Sequence, residues 1–186
     1  MKMRIVKHGD TIIVEPDPNA NENLVENDKK ADEVIKNNAD ATDDVDDIWA
    51  KMVELAKKEY HPTEVTPFIT AHHVVAAVES AKTGKVYTGF CIEGASGVIN
   101  LCAERVAALN MYLNENNMVV RRMVAFRAEA PKNNGGMPCG ACREFFMQSA
   151  YENREMEILT DFEKRQTIKL KSLIPNWWGD KRYGKK

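Results

Sequence analysis

Leu101-Cys102-Ala103-Glu104-Arg105 and, farther along, Met137-Pro138-Cys139-Gly140-Ala141-Cys142-Arg143 are the stretches around which this chain is organised. Three cysteines and one glutamate in this arrangement describe a mononuclear zinc centre with a proton-transfer group beside it. Each half falls where a helix is expected to start. Cys102 precedes the apolar spacing Val106, Leu109, Leu113, and Cys139 precedes Phe145, Phe146 and Met147. A helix N-terminus offers unpaired N–H groups and partial positive charge, which lower the pKa of a cysteine placed there. Cys139 and Cys142 are three apart and so share a helical face. Three protein ligands leave the fourth tetrahedral position to water, as in a catalytic rather than a structural zinc site.

Glu104 stands two residues beyond Cys102, placed to take a proton from metal-activated water and return it to a substrate nitrogen. Three thiolates on Zn²⁺ sum to a net negative charge, which blunts the metal's power to acidify water. Arg105 and Arg143 directly follow the two ligand motifs. At least one of them is predicted to donate hydrogen bonds to the thiolates and withdraw that charge.

Working outward, the bulk properties bound this reading. A chain of 186 residues holds one ordinary core. It has no apolar run of membrane-spanning length. Its first fourteen residues lack the pattern of a signal peptide. A cytoplasmic location is therefore expected, and with it reduced thiols. In that setting four cysteines favour metal binding or catalysis over disulfides, although a lone C-x-x-C also fits a redox pair. The fourth, Cys91, lies in an apolar stretch and reads as a buried core residue. The net charge of −2 hides an asymmetry, because Glu15 to Asp47 carries twelve acids against three bases.

Two apolar runs, Arg4-Ile5-Val6 and Thr11 to Val14, flank Gly9-Asp10 and predict a small hairpin. The acidic segment after it reads as a linker or loosely docked arm with a short helix within Asn23 to Lys36. Thr42 caps a predicted helix running to Lys58, with Val45, Ile48, Trp49, Met52, Leu55 and Ala56 as its apolar stripe. Strands are predicted at 71–79, 85–93, 119–127, 157–160 and 167–170. Helices are predicted at 101–114 and 139–151. Strands alternating with helices favour an α/β layered domain, opened by an antiparallel pair and continued by parallel βαβ units.

The residues Gly89-Phe90-Cys91-Ile92-Glu93-Gly94-Ala95-Ser96, Cys102-Ala103-Glu104-Arg105-Val106-Ala107 and Pro138-Cys139-Gly140-Ala141-Cys142-Arg143-Glu144 resemble the cytidine deaminase family. The three-cysteine ligand set suits its small, typically homotetrameric branch. The resemblance spans roughly Asp46 to Trp178. It implies a three-layer domain over 46–186, a mixed five-stranded sheet with helices on both faces, preceded by an N-terminal extension over 1–45. It also implies one Zn²⁺ per subunit and hydrolytic release of ammonia from cytidine, deoxycytidine or a related cytosine nucleoside. Glu104 would shuttle protons, and the backbone around Ala103 would contact the pyrimidine's carbonyl edge.

Departures from the family pattern bear on substrate. Where the nucleoside enzymes usually carry Asn-x-Glu to hold the ribose, Glu93 is kept and Cys91 replaces the asparagine. An aromatic residue near the sugar becomes His72. Because His72 and His73 alternate across a strand, at most one is expected to face the pocket. These features look closer to the bacterial blasticidin S deaminase-like branch, which acts on a cytosine ring with a modified sugar. A polynucleotide substrate would need a basic channel, and only Arg121-Arg122 and Lys181 to Lys186 offer basic clusters. A zinc protein without chemistry is disfavoured by retention of Glu104. Trp177 and Trp178 are expected in the core or at a subunit contact rather than over a bound base.

Overall fold

The computed structural model describes residues 3–8, 11–16 and 45–183, with side chains described from Ile48 onward. The chain divides into two units, Met1–Thr42 and Asp43–Lys186. In the first, β1 (Met3–His8) pairs antiparallel with β2 (Thr11–Pro16), the predicted hairpin. Its Gly9-Asp10 turn, the acidic segment with its short helix, the Thr42 cap and the last three lysine-rich residues lie outside the described residues.

The second unit is built on a mixed sheet of six strands. Its elements in order are α1 (Val45–Lys58), β3 (Thr63–Thr66), β4 (Ile69–Ser80), β5 (Val86–Gly94), α2 (Ala103–Glu115), β6 (Val120–Phe126), α3 (Gly140–Ser149), β7 (Glu157–Asp161) and β8 (Gln166–Lys169). Two short helices, α4 (Leu170–Leu173) and α5 (Asp180–Tyr183), close the chain. All five predicted strands are present, and β3 makes a sixth. Its burial pattern is exposed throughout, so no apolar alternation announced it.

β4 is the hub. One edge pairs antiparallel with β5, while the other pairs first with β3 and then with β6. β6 and β7 run parallel across the α3 connection, and β8 turns back antiparallel on β7. Period-two alternation along β4 sorts its side chains onto two faces. Val75 and Ala77 face Trp49, Met52 and Ala56 of α1. Ala76 and Val78 face Ala103, Ala107 and Met111 of α2 together with Phe146 of α3. The result is three layers, with α1 on one face and α2 and α3 on the other.

The approach of α2 to the sheet is close enough to restrict the residue beneath it. A Cβ on Gly89 would collide with the backbone of Ala107 and Ala103. That glycine lets the first turn of α2, which carries Glu104, sit directly on β5.

β4 is interrupted where it passes the ends of the helices. Ala71 pairs with Ile92 and Val75 with Phe90, so three residues of β4 oppose the single residue Cys91. His72 takes a left-handed backbone there, with φ 63°. The backbone N–H of Val74 donates to Cys91 Sγ at 3.2 Å, and so the thiol fills the bulge it faces.

Candidate metal centre and cavity

Cys102 and Cys139 are the N-cap residues of α2 and α3, both in extended conformation. Cys142 lies in the first turn of α3 and is fully buried. The two helices begin on the same face of the sheet and bring the three sulfurs together. Sγ of Cys139 is 3.6 Å from Sγ of Cys102 and 3.6 Å from Sγ of Cys142. All three sulfurs lie within 4.8 Å of one another. Disulfide sulfurs stand about 2 Å apart. Tetrahedral thiolates on zinc, with Zn–S near 2.3 Å, stand about 3.8 Å apart. The cluster therefore has the spacing of ligands on one ion, and the donor set fits zinc.

Arg105 and Arg143 take different positions. Arg105 Nη2 donates to the Asn100 carbonyl at 3.0 Å and approaches Cys102 Sγ at 4.0 Å. Its Nε is buried without a hydrogen-bond partner among the described residues. Arg143 points elsewhere: Nε donates to the Pro138 carbonyl at 2.8 Å and Nη1 to the Leu173 carbonyl at 3.2 Å. It thus fastens the Leu173-Ile174-Pro175 closing stretch to the loop that delivers Cys139.

The thiols do not respond uniformly to their helix starts. Burial pushes Cys102 above the ordinary thiol value, and burial with the nearby Glu104 charge pushes Cys142 far above it. At Cys139 burial also acts upward, but the Cys142 backbone N–H and the neighbouring thiols outweigh it, leaving this group below the ordinary value. The helix-start argument holds for Cys139 alone, because desolvation dominates at the other two.

Glu104 is 5 % exposed, and burial holds its carboxyl above the usual carboxylate range. It lines a cavity of about 400 Å³ together with Val74 of β4 and residues of the loop from Arg127 to Met137. That loop folds back on the sheet at Gly136, which has φ 73° and no room for a Cβ beside the Ala125 carbonyl. The cavity-lining Arg127, Glu129 and Lys132 were missed in the sequence, where no motif or apolar pattern singles them out.

The residues expected to touch substrate are placed unevenly. Ala103 is fully buried behind Glu104, and Cys91 is 3 % exposed with its sulfur engaged by Val74. Glu93 lies two residues along β5 from Cys91, partly exposed. None of these three lines the cavity, and neither His72 nor His73 does. His72 is turned toward the α1 face by its left-handed backbone, and its ring stacks on Phe90 with centroids 3.7 Å apart. Alternation assigns a face only where the strand is regular, and here the bulge sets the direction of His72.

Trp177 is in the core, and Trp178 is 56 % exposed. Their Nε1 groups donate to the two carboxylate oxygens of Glu144 at 2.8 and 2.9 Å. The pair anchors the C-terminal stretch to α3 and does not reach the cavity.

No protein-family model matches the chain, and no curated protein matches it. Solved structures do. A mutant of the cytidine deaminase from Mycobacterium tuberculosis shares 20% identity over 72% of this chain and 97% of its own, with a TM-score of 0.55. The cytidine deaminase from Burkholderia pseudomallei shares 22% over 69% and 98%, with a TM-score of 0.52. The enzyme from Bacillus anthracis shares 20% over 74% and 91%, with a TM-score of 0.51. The fold of this chain is cytidine deaminase-like.

Proposed function

We propose that this chain is a zinc-dependent hydrolase that deaminates cytidine, deoxycytidine or a related cytosine nucleoside and releases ammonia. The observation that carries the reading is the trio of sulfurs at zinc-ligand spacing beside a buried glutamate that opens on a cavity. The cytidine deaminase-like fold supports it independently. Cys102, Cys139 and Cys142 hold one Zn²⁺, which supplies an activated water.

Glu104 moves the protons. Its buried carboxylate accepts one and delivers it to the ring nitrogen of the pyrimidine, and a second transfer reaches the departing amine. A carboxyl held above its usual range by burial is suited to this, since it takes up a proton more readily than an exposed carboxylate. Arg105 lies against the Cys102 thiolate and draws negative charge from the cluster. Arg143 positions the Cys139 loop. By the family resemblance the backbone at Ala103 would meet the carbonyl edge of the base and Glu93 the sugar, both from outside the cavity lining. The family resemblance extends the reading to a cytoplasmic homotetramer acting on a small molecule.

One observation favours a second reading, a blasticidin S-type or other modified-nucleoside deaminase. Cys91 stands where an asparagine would hold ribose, and its sulfur is committed to Val74. Sugar recognition then rests on Glu93 without that amide. Ammonia release from cytidine, deoxycytidine, blasticidin S and single-stranded DNA, with and without chelator, tests both. Chelator-sensitive turnover of a free nucleoside is expected. Reaction of the DNA alone, or turnover indifferent to chelation, overturns the proposal.

A further inference from the structure

On the opposite face of the sheet from the cysteines, the end of α1 meets the β4 bulge. There, Glu59, His61 and His72 bring one donor atom each to within 4.8 Å of one another. We propose that these three side chains form a second metal site, for a divalent transition ion such as Zn²⁺ or Ni²⁺.

The hydrogen bonds assign which atoms are free to coordinate. His72 Nδ1 faces the Glu59 carbonyl at 2.7 Å, and a carbonyl only accepts, so the proton is on Nδ1. Nε2 then carries a lone pair. At His61, Thr63 Oγ1 spends its single proton on the His61 carbonyl at 2.6 Å. The 3.4 Å contact between His61 Nδ1 and that oxygen is therefore donated by the imidazole, which again leaves Nε2 free. Glu59 accepts from Thr88 Oγ1 through Oε1 at 3.0 Å, which orients the carboxylate and keeps Oε2 available. Histidine ligands commonly donate their second nitrogen to a backbone carbonyl or another oxygen. Two imidazoles and a carboxylate suit first-row divalent ions and leave positions for water.

The rings also show what binding must change. His72 lies between Phe90 and His61, each 3.7 Å away centroid to centroid, and the His61 ring is tilted by 29°. Phe90 and the left-handed backbone fix His72, whereas His61 is exposed on the turn after α1. Nitrogen donors on one zinc ion stand about 3.3 Å apart. His61 supplies the closure by turning out of the stack, so His72 is the fixed ligand and His61 the mobile one. The ion would tie the end of α1 to β4, two residues from the cavity-lining Val74.

The test counts metal on the full chain and does not depend on the deaminase reading. Wild type, His61→Ala and Glu59→Gln are saturated with Zn²⁺, desalted and analysed for bound metal, and Ni²⁺ binding is titrated on separate preparations loaded with a single equivalent of Zn²⁺. Wild type is expected to retain one equivalent more than either variant. Its Ni²⁺ affinity is expected to exceed that of His61→Ala at least tenfold, with Ni²⁺ broadening the imidazole NMR signals of His61 and His72. Equal metal content in wild type and both variants overturns the proposal, and so does broadening confined to His8 or His73. Because His61 is exposed, its loss leaves the core intact, and an unchanged far-UV spectrum checks this.

Discussion

The Val74 backbone N–H donates to the Cys91 sulfur across 3.2 Å, joining the wall of the cavity to the strand beneath it. Cys91→Ala removes the acceptor and strands that N–H in the bulge. A lost hydrogen bond of this kind costs about 1–2 kcal/mol. Tm should fall by roughly 2–6 °C in a chain of this size. Cys91→Asn keeps an acceptor within reach. If ribose recognition has drifted at this position, Cys91→Asn should raise kcat/KM for cytidine, measured by ammonia release.

Glu104→Gln keeps the size of the side chain and removes its capacity to carry protons. The variant should retain the metal of the wild type while kcat drops by roughly 10²–10⁴-fold. Metal content and turnover measured on the same preparation separate these effects. Full turnover in a zinc-loaded Glu104→Gln protein would rule out the assigned proton shuttle.

Zinc must displace the protons that burial retains on Cys102 and Cys142. Binding at pH 7 should therefore release at least two protons, read by calorimetry in buffers of different ionisation enthalpy. A thiol with a raised pKa binds its proton more tightly, so zinc affinity should rise with pH throughout the neutral range. Cys142→Ala should reduce both metal content and Tm, as metal binding is coupled to folding.

Glu115, at the end of α2, accepts from Ser80, Thr83 and Tyr87 and so secures the β4–β5 turn. Burial acts upward on its pKa, but the three hydroxyl donors outweigh it and hold the carboxyl below its ordinary range. A folded pKa below the unfolded one gives stability that is present above about pH 4.3 and is lost as pH falls through the folded value. Glu115→Gln should lower Tm at pH 7 by roughly 2–4 °C, a figure discounted for partial exposure. The difference from wild type should close in acid, as followed by thermal melts across pH.

The sequence carried the chemistry more fully than the shape of its surroundings. The gathering of Cys102, Cys139 and Cys142 at two helix starts, with Glu104 beside them, was legible because the two motifs that carry them are local in sequence. Five strands of the six-stranded sheet were legible because their apolar residues alternate or run continuously. β3 was not, since Thr63 to Thr66 buries nothing and is defined by backbone pairing with β4 alone. The direction of His72 was not legible for a related reason. A left-handed residue outside glycine leaves no mark in a hydrophobic pattern, and it is held by packing on Phe90 of the neighbouring strand β5.

The bulge in β4 carries a further consequence for how this strand can vary. Between Ala71 and Val75 it adds two residues relative to β5, not one. With side chains alternating in twos, an even insertion leaves the strand in phase on both sides, whereas an odd one would exchange the buried and site-facing residues beyond it. Lengthening or shortening this segment by a pair of residues should therefore leave Val75 to Val78 correctly seated in the core. Insertion or deletion of a single residue should unseat both layers at once.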